Sequence, residues 1–170
     1  MNAVIRPLGF EDAQACDAII ASLPGFFGLD QGIRACQEAV RSQPGLVAVE
    51  GGSVRAFLTF ARHFGQSAEI TWMATHADHR HQGLGGALIE ELATILAAEG
   101  RSILLVLTLA PSDPLDEPDG YGATRRFYQR HGFVLSRELP ELWDENVAVL
   151  LVRPLLPLIE HLGDGQRPSA

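Results

Sequence analysis

An uninterrupted apolar run at residues 102–109 limits the folds open to this chain more than any other feature. Its sequence, SILLVLTL, lacks the alternation of a half-solvated strand, and it predicts a central strand covered on both faces. The preceding residues 85–99 place Leu88 and Leu92 at helical spacing, and residues 69–76 ahead of them are β-rich. The three segments together predict a strand–helix–strand unit.

The remaining segments complete one domain of α/β (α+β) class. The chain has 170 residues, the usual size of a single domain. Strands are predicted at residues 2–6, 45–49, 54–62, 69–76, 102–109, 133–138 and 146–153, and helices at residues 12–23, 30–42, 85–99 and 123–131. We expect a central mixed, mostly antiparallel sheet flanked by helices within residues 1–154, followed by a tail at residues 155–170.

The charged residues restrict both partners and chemistry. All 13 basic residues are arginine, and with 21 acidic residues they give a net charge of −8. An acidic chain disfavours binding to nucleic acid or to an anionic membrane, so we expect neither partner. Without lysine, the chain can build neither a Walker-A nucleotide site nor a Schiff-base enzyme.

The chain carries no pattern typical of export or membrane insertion. Residues 1–14 lack a basic stretch followed by an apolar core, and no apolar run approaches the roughly 18 residues that cross a bilayer. Cys16 and Cys36 fall in separate predicted helices and are expected to be buried reduced thiols. These features favour a cytoplasmic protein.

A glycine-rich turn at residues 80–87 (RHQGLGGA) joins a predicted strand to the helix of residues 85–99. Backbone N–H groups at a helix N-terminus suit a phosphate or diphosphate, although a tight turn with glycine for helix packing would have the same sequence. A dinucleotide fingerprint starting at Gly83 fails, because its sixth position is Leu88. The turn therefore predicts either an anion site of another kind or a tight turn for helix packing.

Two motifs carry a family resemblance. Arg80-x-x-Gly83-x-Gly85 follows a strand, and Phe127-Tyr128 with Gly132-Phe133 closes a later helix. This order resembles the GNAT superfamily of acyl-CoA N-acyltransferases over about residues 2–153. The resemblance implies a GNAT-like fold, acetyl-CoA as co-substrate without a metal, and acetyl transfer to a primary amine by direct attack in a ternary complex.

The resemblance also implies site residues. The diphosphate would be held by residues of the turn, namely Arg80, His81, Gln82, Gly83, Leu84, Gly85 and Gly86. The pantetheine arm would pair with the strand backbone at Met73, Ala74 and Thr75. Glu69, fourteen positions before Gly83, matches the general base of histone-type members, and Tyr128 matches the family's general acid. An exposed strand-end carboxylate and a packed helix aromatic remain alternative interpretations of these two residues.

The acceptor side is less defined. Phe26 and Phe27, in the linker between the first two helices, are candidates for a substrate wall or for anchors of that linker. Four carboxylates at Asp113, Asp116, Glu117 and Asp119 would steer a cationic amine or simply be solvated. Family members often have asparagine seven residues before the tyrosine, where this chain has Tyr121. The acceptor is expected to be an amine of a small molecule or peptide, and a homodimer is left open.

Two other functions remain open from the sequence. His76, Asp78, His79 and His81 offer four potential metal ligands in six residues, as a metal-dependent hydrolase would need. A regulatory module that binds coenzyme A without turnover would keep the same turn. The presence of both Glu69 and Tyr128 favours an enzyme.

Overall fold

The computed structural model describes residues 3–24, 26, 30–111, 121–143 and 146–155. It contains one mixed sheet of seven strands in the order β1-β2-β3-β4-β5-β7-β6. The strands are β1 (Val4–Pro7), β2 (Gly45–Glu50), β3 (Ser53–His63), β4 (Ser67–Thr75), β5 (Ile103–Leu109), β6 (Val134–Leu139) and β7 (Ala148–Pro154). The helices are α1 (Ala13–Ala21), α2 (Asp30–Ser42), α3 (Leu84–Ala98) and α4 (Tyr121–Arg130).

The topology confirms the predicted fold class. Strands β1 to β4 form an antiparallel meander, and β5 pairs antiparallel with β7, which pairs antiparallel with β6. Among the described strands, the single parallel pairing joins β4 to β5, which are connected through α3. A parallel pair needs such a crossover, because the chain must return to the same end of the sheet.

Helices cover the two faces of the sheet unequally. On one face, here called the α3 face, α3 and α4 pack on residues from β2 to β7, with Leu88, Leu104 and Tyr128 in one apolar core. On the opposite face, the α1 face, α1 and α2 form a second core with Phe57 and Ala74. Among the described residues, the strand members of this second core come from β2, β3 and β4 only.

The prediction that residues 102–109 are covered on both faces is wrong. The structure places β5 centrally, between β4 and β7, but its burial alternates. Leu104 and Val106 are buried in the α3-face core, whereas Leu105 and Leu107 on the other face are half-buried. The physical reason is that α1 and α2 stop over β4, so none of the described helices packs on that side of β5.

An ion pair fixes the beginning of the chain to the start of α1. Arg6 on β1 donates two hydrogen bonds of 2.7 Å to the carboxylate of Asp12, which also accepts 2.8 Å from the Gly9 N–H. Asp12 is only 5 % exposed. These donors, Arg6 foremost, hold the pKa of the Asp12 carboxyl below its usual value.

Within the residues that the structure describes, no helix is both long enough and apolar enough to cross a membrane.

Candidate active site

Strands β4 and β5 separate part-way along their length. They pair over Ser67–Ile70 and Ile103–Val106 only, although β4 continues to Thr75 and β5 to Leu109. The separation coincides with a bulge in β4, because Phe60 pairs with Ile70 while Thr59 pairs with Trp72. A bulge bends its strand and increases the local twist. The result is a cleft between the two strands, and no described strand pairs with the cleft-facing β4 edge at Met73 and Thr75.

The bulged residue, Thr71, is held from both sides. Its hydroxyl lies 2.8 Å from the Thr59 hydroxyl and donates a 2.5 Å hydrogen bond to Oε1 of Gln43, just beyond α2. These contacts fix the point at which the strands diverge. Bulges of this kind are common beside functional sites.

Strand β4 directs backbone groups into this cleft at alternate residues. The His76 N–H donates to the Arg55 carbonyl on β3, at 2.9 Å. Alternation along an antiparallel pair then turns the polar groups of Ala74 toward β3 and those of Met73 and Thr75 toward the cleft. Of the three predicted positions, Met73 and Thr75 are therefore able to pair with an extended ligand, whereas the Ala74 amide is directed at β3.

The turn between β4 and α3 presents free amides. His81 has φ of 63° and Gly83 has φ of 83°, both in the left-handed region, and α3 starts at Leu84. Among the described residues, no backbone carbonyl accepts a hydrogen bond from the N–H groups of residues 82–86. The first turn of a helix has no internal acceptor for its N–H groups, and its partial positive charge favours an anion. The turn can thus bind a diphosphate.

Two glycines allow α4 to approach the first turn of α3. A Cβ at Gly85 would lie 3.2 Å from Phe127, and one at Gly86 would lie 2.5 Å from the His131 ring. His131 Nδ1 is also 3.7 Å from the Glu90 carboxylate on α3. The tight-turn interpretation of these glycines is therefore correct: they allow close packing, and no backbone acceptor for their N–H groups occurs among the described residues.

Glu69 lies at the base of the cleft on the α1 face. Its neighbours Ala68 and Ile70 are buried in the α3-face core, so its side chain points to the other side. The carboxylate is 24 % exposed and accepts a 2.8 Å hydrogen bond from Nε2 of His63, at the end of β3. Two ionisable side chains therefore meet where the strands diverge.

Tyr128 is buried in the α3-face core, at 6 % exposure. Its ring makes edge contacts with Phe127 and Phe133, each at 5.3 Å between centroids. Burial raises the pKa of Tyr128 well above the ordinary value of a phenol, because the phenolate would lose its hydration. The hydroxyl is accordingly held in its protonated form.

The predicted histidine cluster does not assemble into a metal site. His76 Nδ1 accepts from the Asp78 N–H at 3.3 Å, and His79 Nδ1 lies 3.6 Å from the Glu50 carboxylate. No group of three or more histidine, cysteine, aspartate or glutamate side chains suited to a metal occurs in the described part of the chain. The metal-hydrolase alternative has no coordination site in these residues.

A comparison with protein-family models gives one decisive match. The model of the acetyltransferase (GNAT) domain matches residues 42–135, more than half of the chain. The chain belongs to the GNAT acetyltransferase family. The resemblance proposed from the two motifs is confirmed, and the enzymes of this family use acetyl-CoA.

Solved structures agree with this GNAT fold. A GNAT-family protein from Desulfovibrio desulfuricans has a TM-score of 0.76 at 19% identity, covering 91% of this chain and 100% of its own. The ribosomal-protein-S18-alanine N-acetyltransferase from Escherichia coli has a TM-score of 0.72 at 19% identity, covering 94% and 98%. An aminoglycoside 6'-N-acetyltransferase complexed with coenzyme A has a TM-score of 0.67 at 16% identity, covering 91% and 98%. No curated protein sequence matches this GNAT chain.

In this GNAT protein the linker between α1 and α2 contacts both the turn and α4. The Arg80 guanidinium lies over the Phe26 ring, 4.6 Å from its centroid, and the Tyr121 hydroxyl donates a 3.0 Å hydrogen bond to the Phe26 carbonyl. Phe26 is thus held from two sides, by Arg80 of the turn and by Tyr121 of α4. Phe27 and the acidic residues 113–119 lie outside the described residues.

Two GNAT site features were missed by the sequence reasoning. His63 was assigned no role from the sequence, although this residue lies only six positions before Glu69, just beyond the predicted strand at residues 54–62. Tyr121 was treated only as a departure from the family asparagine, and the structure shows it bonded to the linker. The contact of His63 with Glu69 had a usable local signal, because the two residues are close in sequence. The hydrogen bond between Tyr121 and Phe26 joins residues 95 positions apart, so no local pattern indicates it.

Proposed function

We propose that this protein is an acetyl-CoA-dependent N-acetyltransferase that acts on a primary amine by direct attack. Two adjoining features support the proposal. The cleft-facing edge of β4 at Met73 and Thr75 is not paired with any described strand, and the chain continues from it into the turn before α3. The N–H groups at this helix N-terminus have no backbone acceptor among the described residues. An extended arm can pair with the first, and a diphosphate can bind the second. Coenzyme A has both parts in this order.

The turn and β4 would each bind a different part of the cofactor. The amides of Gln82 to Gly86 would hold the diphosphate, with Arg80 and His81 beside it. Met73 and Thr75 would pair with the pantetheine amides, and the Met73 N–H would polarise the thioester carbonyl. Leu84 anchors the turn, since its side chain is buried in the α3-face core.

Glu69 would act as the general base. An alkylammonium ion has a reference pKa near 10.4 and must lose a proton before its nitrogen can attack. Glu69 is the carboxylate at the base of the cleft, and it is partly open to water through the α1 face. It would take the proton directly or through one water molecule.

Tyr128 would donate a hydrogen bond to the departing sulfur. Complete transfer from a phenol of pKa near 10 to a thiolate whose acid has pKa near 8.5 is unfavourable by about 2 kcal/mol, and burial raises the Tyr128 pKa further. The sulfur would therefore leave as a thiolate stabilised by the Tyr128 hydroxyl. The nitrogen loses its second proton to solvent as the C–S bond breaks and the amide forms.

The cysteines support attack without an acyl-enzyme. Burial raises the pKa of Cys16 and Cys36 to about 12 each, so both thiols stay protonated at neutral pH. Both are fully buried in the α1-face core. Neither is a competent nucleophile.

Titration calorimetry combined with a thiol-release assay tests the proposal. Acetyl-CoA is expected to bind, and acetyl-pantetheine, which lacks the diphosphate, is expected to bind at least about tenfold more weakly. Amines should then release free thiol from acetyl-CoA. The absence of acetyl-CoA binding would overturn the proposal, and binding without amine-dependent thiol would identify a regulatory coenzyme A module instead.

A further inference from the structure

One row of side chains crosses five strands on the α1 face and contains the proposed base. Following the register from β3 to β6, its members are Ala61, Glu69, Leu105, Val152 and Val134. Residues paired in a sheet share a face, so these side chains are neighbours. Glu69 is the one charged member, and the three positions beyond it toward β6 are apolar.

The neighbouring row extends this surface. Leu107 on β5 pairs with Leu150 on β7, and both are half-buried, as are Leu105 and Val152. Val134 is 60 % exposed. Among the described residues, the helices of this face pack on β2, β3 and β4 alone. No described helix therefore covers these apolar side chains of β5, β7 and β6. Apolar surface left open beside a polar group is typical of a binding site.

We propose that this apolar strip, Leu105, Leu107, Leu150, Val152 and Val134, binds the body of the acceptor, which is therefore a primary amine on an aliphatic or aromatic group. The inference rests on the proposed function and adds the substrate class. The α3 face is filled by α3, α4 and the buried ring of Tyr128, so an amine reaches Glu69 from the α1 face. An ammonium group beside Glu69 then places its carbon skeleton along the strip.

A polycation fits this surface less well. The strip offers no second carboxylate among its paired positions, and Arg137 of β6 shares the row of Leu107 and Leu150. A second ammonium group would lose hydration against leucine side chains and would meet the Arg137 guanidinium. A second copy of the chain fits less well too, because it would cover the Glu69 carboxylate and remove it from water.

Hexylamine and cadaverine form a matched pair of probes, since they have the same number of non-hydrogen atoms and differ in one terminal group. We expect kcat/KM with acetyl-CoA to be at least about tenfold higher for hexylamine than for cadaverine or spermidine, because its terminal methylenes leave water. Val152→Asn and Val134→Asn should reduce this preference without changing KM for acetyl-CoA. Val4→Asn, at an exposed apolar position of β1, is the control.

The outcomes separate this inference from the proposed function. Higher kcat/KM for cadaverine or spermidine than for hexylamine overturns the inference and leaves the acetyltransferase intact. Acetyl-CoA binding without acetylation of any amine overturns both. A dimer that Val134→Asn dissociates, with the amine preference unchanged, assigns the strip to a second copy and also overturns the inference. Since Val134 is mostly exposed, this variant is expected to fold even where Val152→Asn does not.

Discussion

Nε2 of His63 lies 2.8 Å from Oε2 of Glu69, one residue before the last position of β4 that pairs with β5. His63 occupies the last position of β3 and is 41 % exposed, whereas Glu69 is 24 % exposed. The pair therefore connects the base of the cleft with solvent. His63 is therefore placed to act as a positioning residue that orients the Glu69 carboxylate.

His63→Ala is expected to lower kcat about tenfold, and His63→Gln, which keeps a hydrogen-bond donor, should recover part of the loss. Glu69→Gln should reduce activity further and move the pH optimum upward, because solvent must then deprotonate the amine. The pH dependence of kcat measures both effects. A pH profile of Glu69→Gln identical to that of the unaltered protein would remove Glu69 from the mechanism.

Tyr128→Phe is expected to lower kcat about tenfold while acetyl-CoA affinity and the melting temperature stay nearly constant. The substitution keeps the ring that packs on Phe127 and Phe133 and removes only the hydroxyl. Loss of a hydrogen bond to a charged group costs about 1.5–3 kcal/mol. Steady-state kinetics and thermal unfolding, measured together, distinguish this role from simple packing. Unchanged kcat would contradict it.

Gly86→Ala is expected to destabilise the protein by about 1–3 kcal/mol and to weaken acetyl-CoA binding, because the new methyl group displaces the His131 ring. The double variant Gly86→Ala, His131→Ala should recover part of both effects, which a double-mutant cycle would reveal. Gly65→Ala serves as a matched control, since a Cβ there meets nothing within 4 Å. Equal effects at both glycines would argue against the contact.

Asp12→Asn is expected to reduce the free energy of unfolding by about 1–3 kcal/mol, because it removes the charge and one of the two acceptor oxygens that bind Arg6 and Gly9 at a buried position. The pKa of the Asp12 carboxyl is lower in the folded state than in the unfolded state. The stabilisation from Asp12 is therefore fully present above the pKa of the unfolded state and is lost as the pH falls through the pKa of the folded state. Denaturation at pH 7 and below pH 4 checks this.

Asp17→Asn is the matched control, because its ion pair with Arg41 is more exposed to solvent and should contribute less to the free energy of unfolding. The difference between Asp12→Asn and the unaltered protein should shrink in acid. A difference that stays constant with pH would mean that the carboxylate charge contributes nothing.

Tyr121→Phe is expected to raise KM for the amine by a few-fold while the dissociation constant of acetyl-CoA stays constant. The variant loses the hydrogen bond that holds the Phe26 carbonyl, and the linker beside the acceptor side becomes less ordered. Steady-state kinetics with varied amine, together with calorimetry for acetyl-CoA, separates the two effects. A change confined to acetyl-CoA affinity would place Tyr121 in the cofactor site instead.

Much of the fold followed from local patterns. Helix α2 was predicted at residues 30–42 and is observed at Asp30–Ser42, and the other elements differ by a few residues at their ends. Amphipathic periodicity and turn residues are properties of neighbouring positions, so they are visible in sequence. The same holds for the turn at residues 80–87, whose free amides follow from a helix that begins just after Gly83.

The incorrect prediction that both faces of β5 are covered concerns tertiary packing rather than local pattern. An apolar strand predicts burial on both sides only if elements distant in sequence reach it, and α1 and α2 do not. The apolar sequence therefore predicts burial of Leu105 and Leu107, whereas the packing of the domain leaves both half-buried. Both residues belong to the apolar strip that we propose binds the acceptor.

The sequence by itself determined the order of strands and helices and the position of the glycine turn before α3, because each depends on residues close together in the chain. Three relationships were decided by the tertiary structure alone. They are the position at which β4 separates from β5, the stacking of Arg80 on Phe26, and the row of apolar side chains on β5, β7 and β6 that adjoins Glu69. These relationships depend on strand register and helix placement, which are set by packing over the whole domain rather than by any one segment.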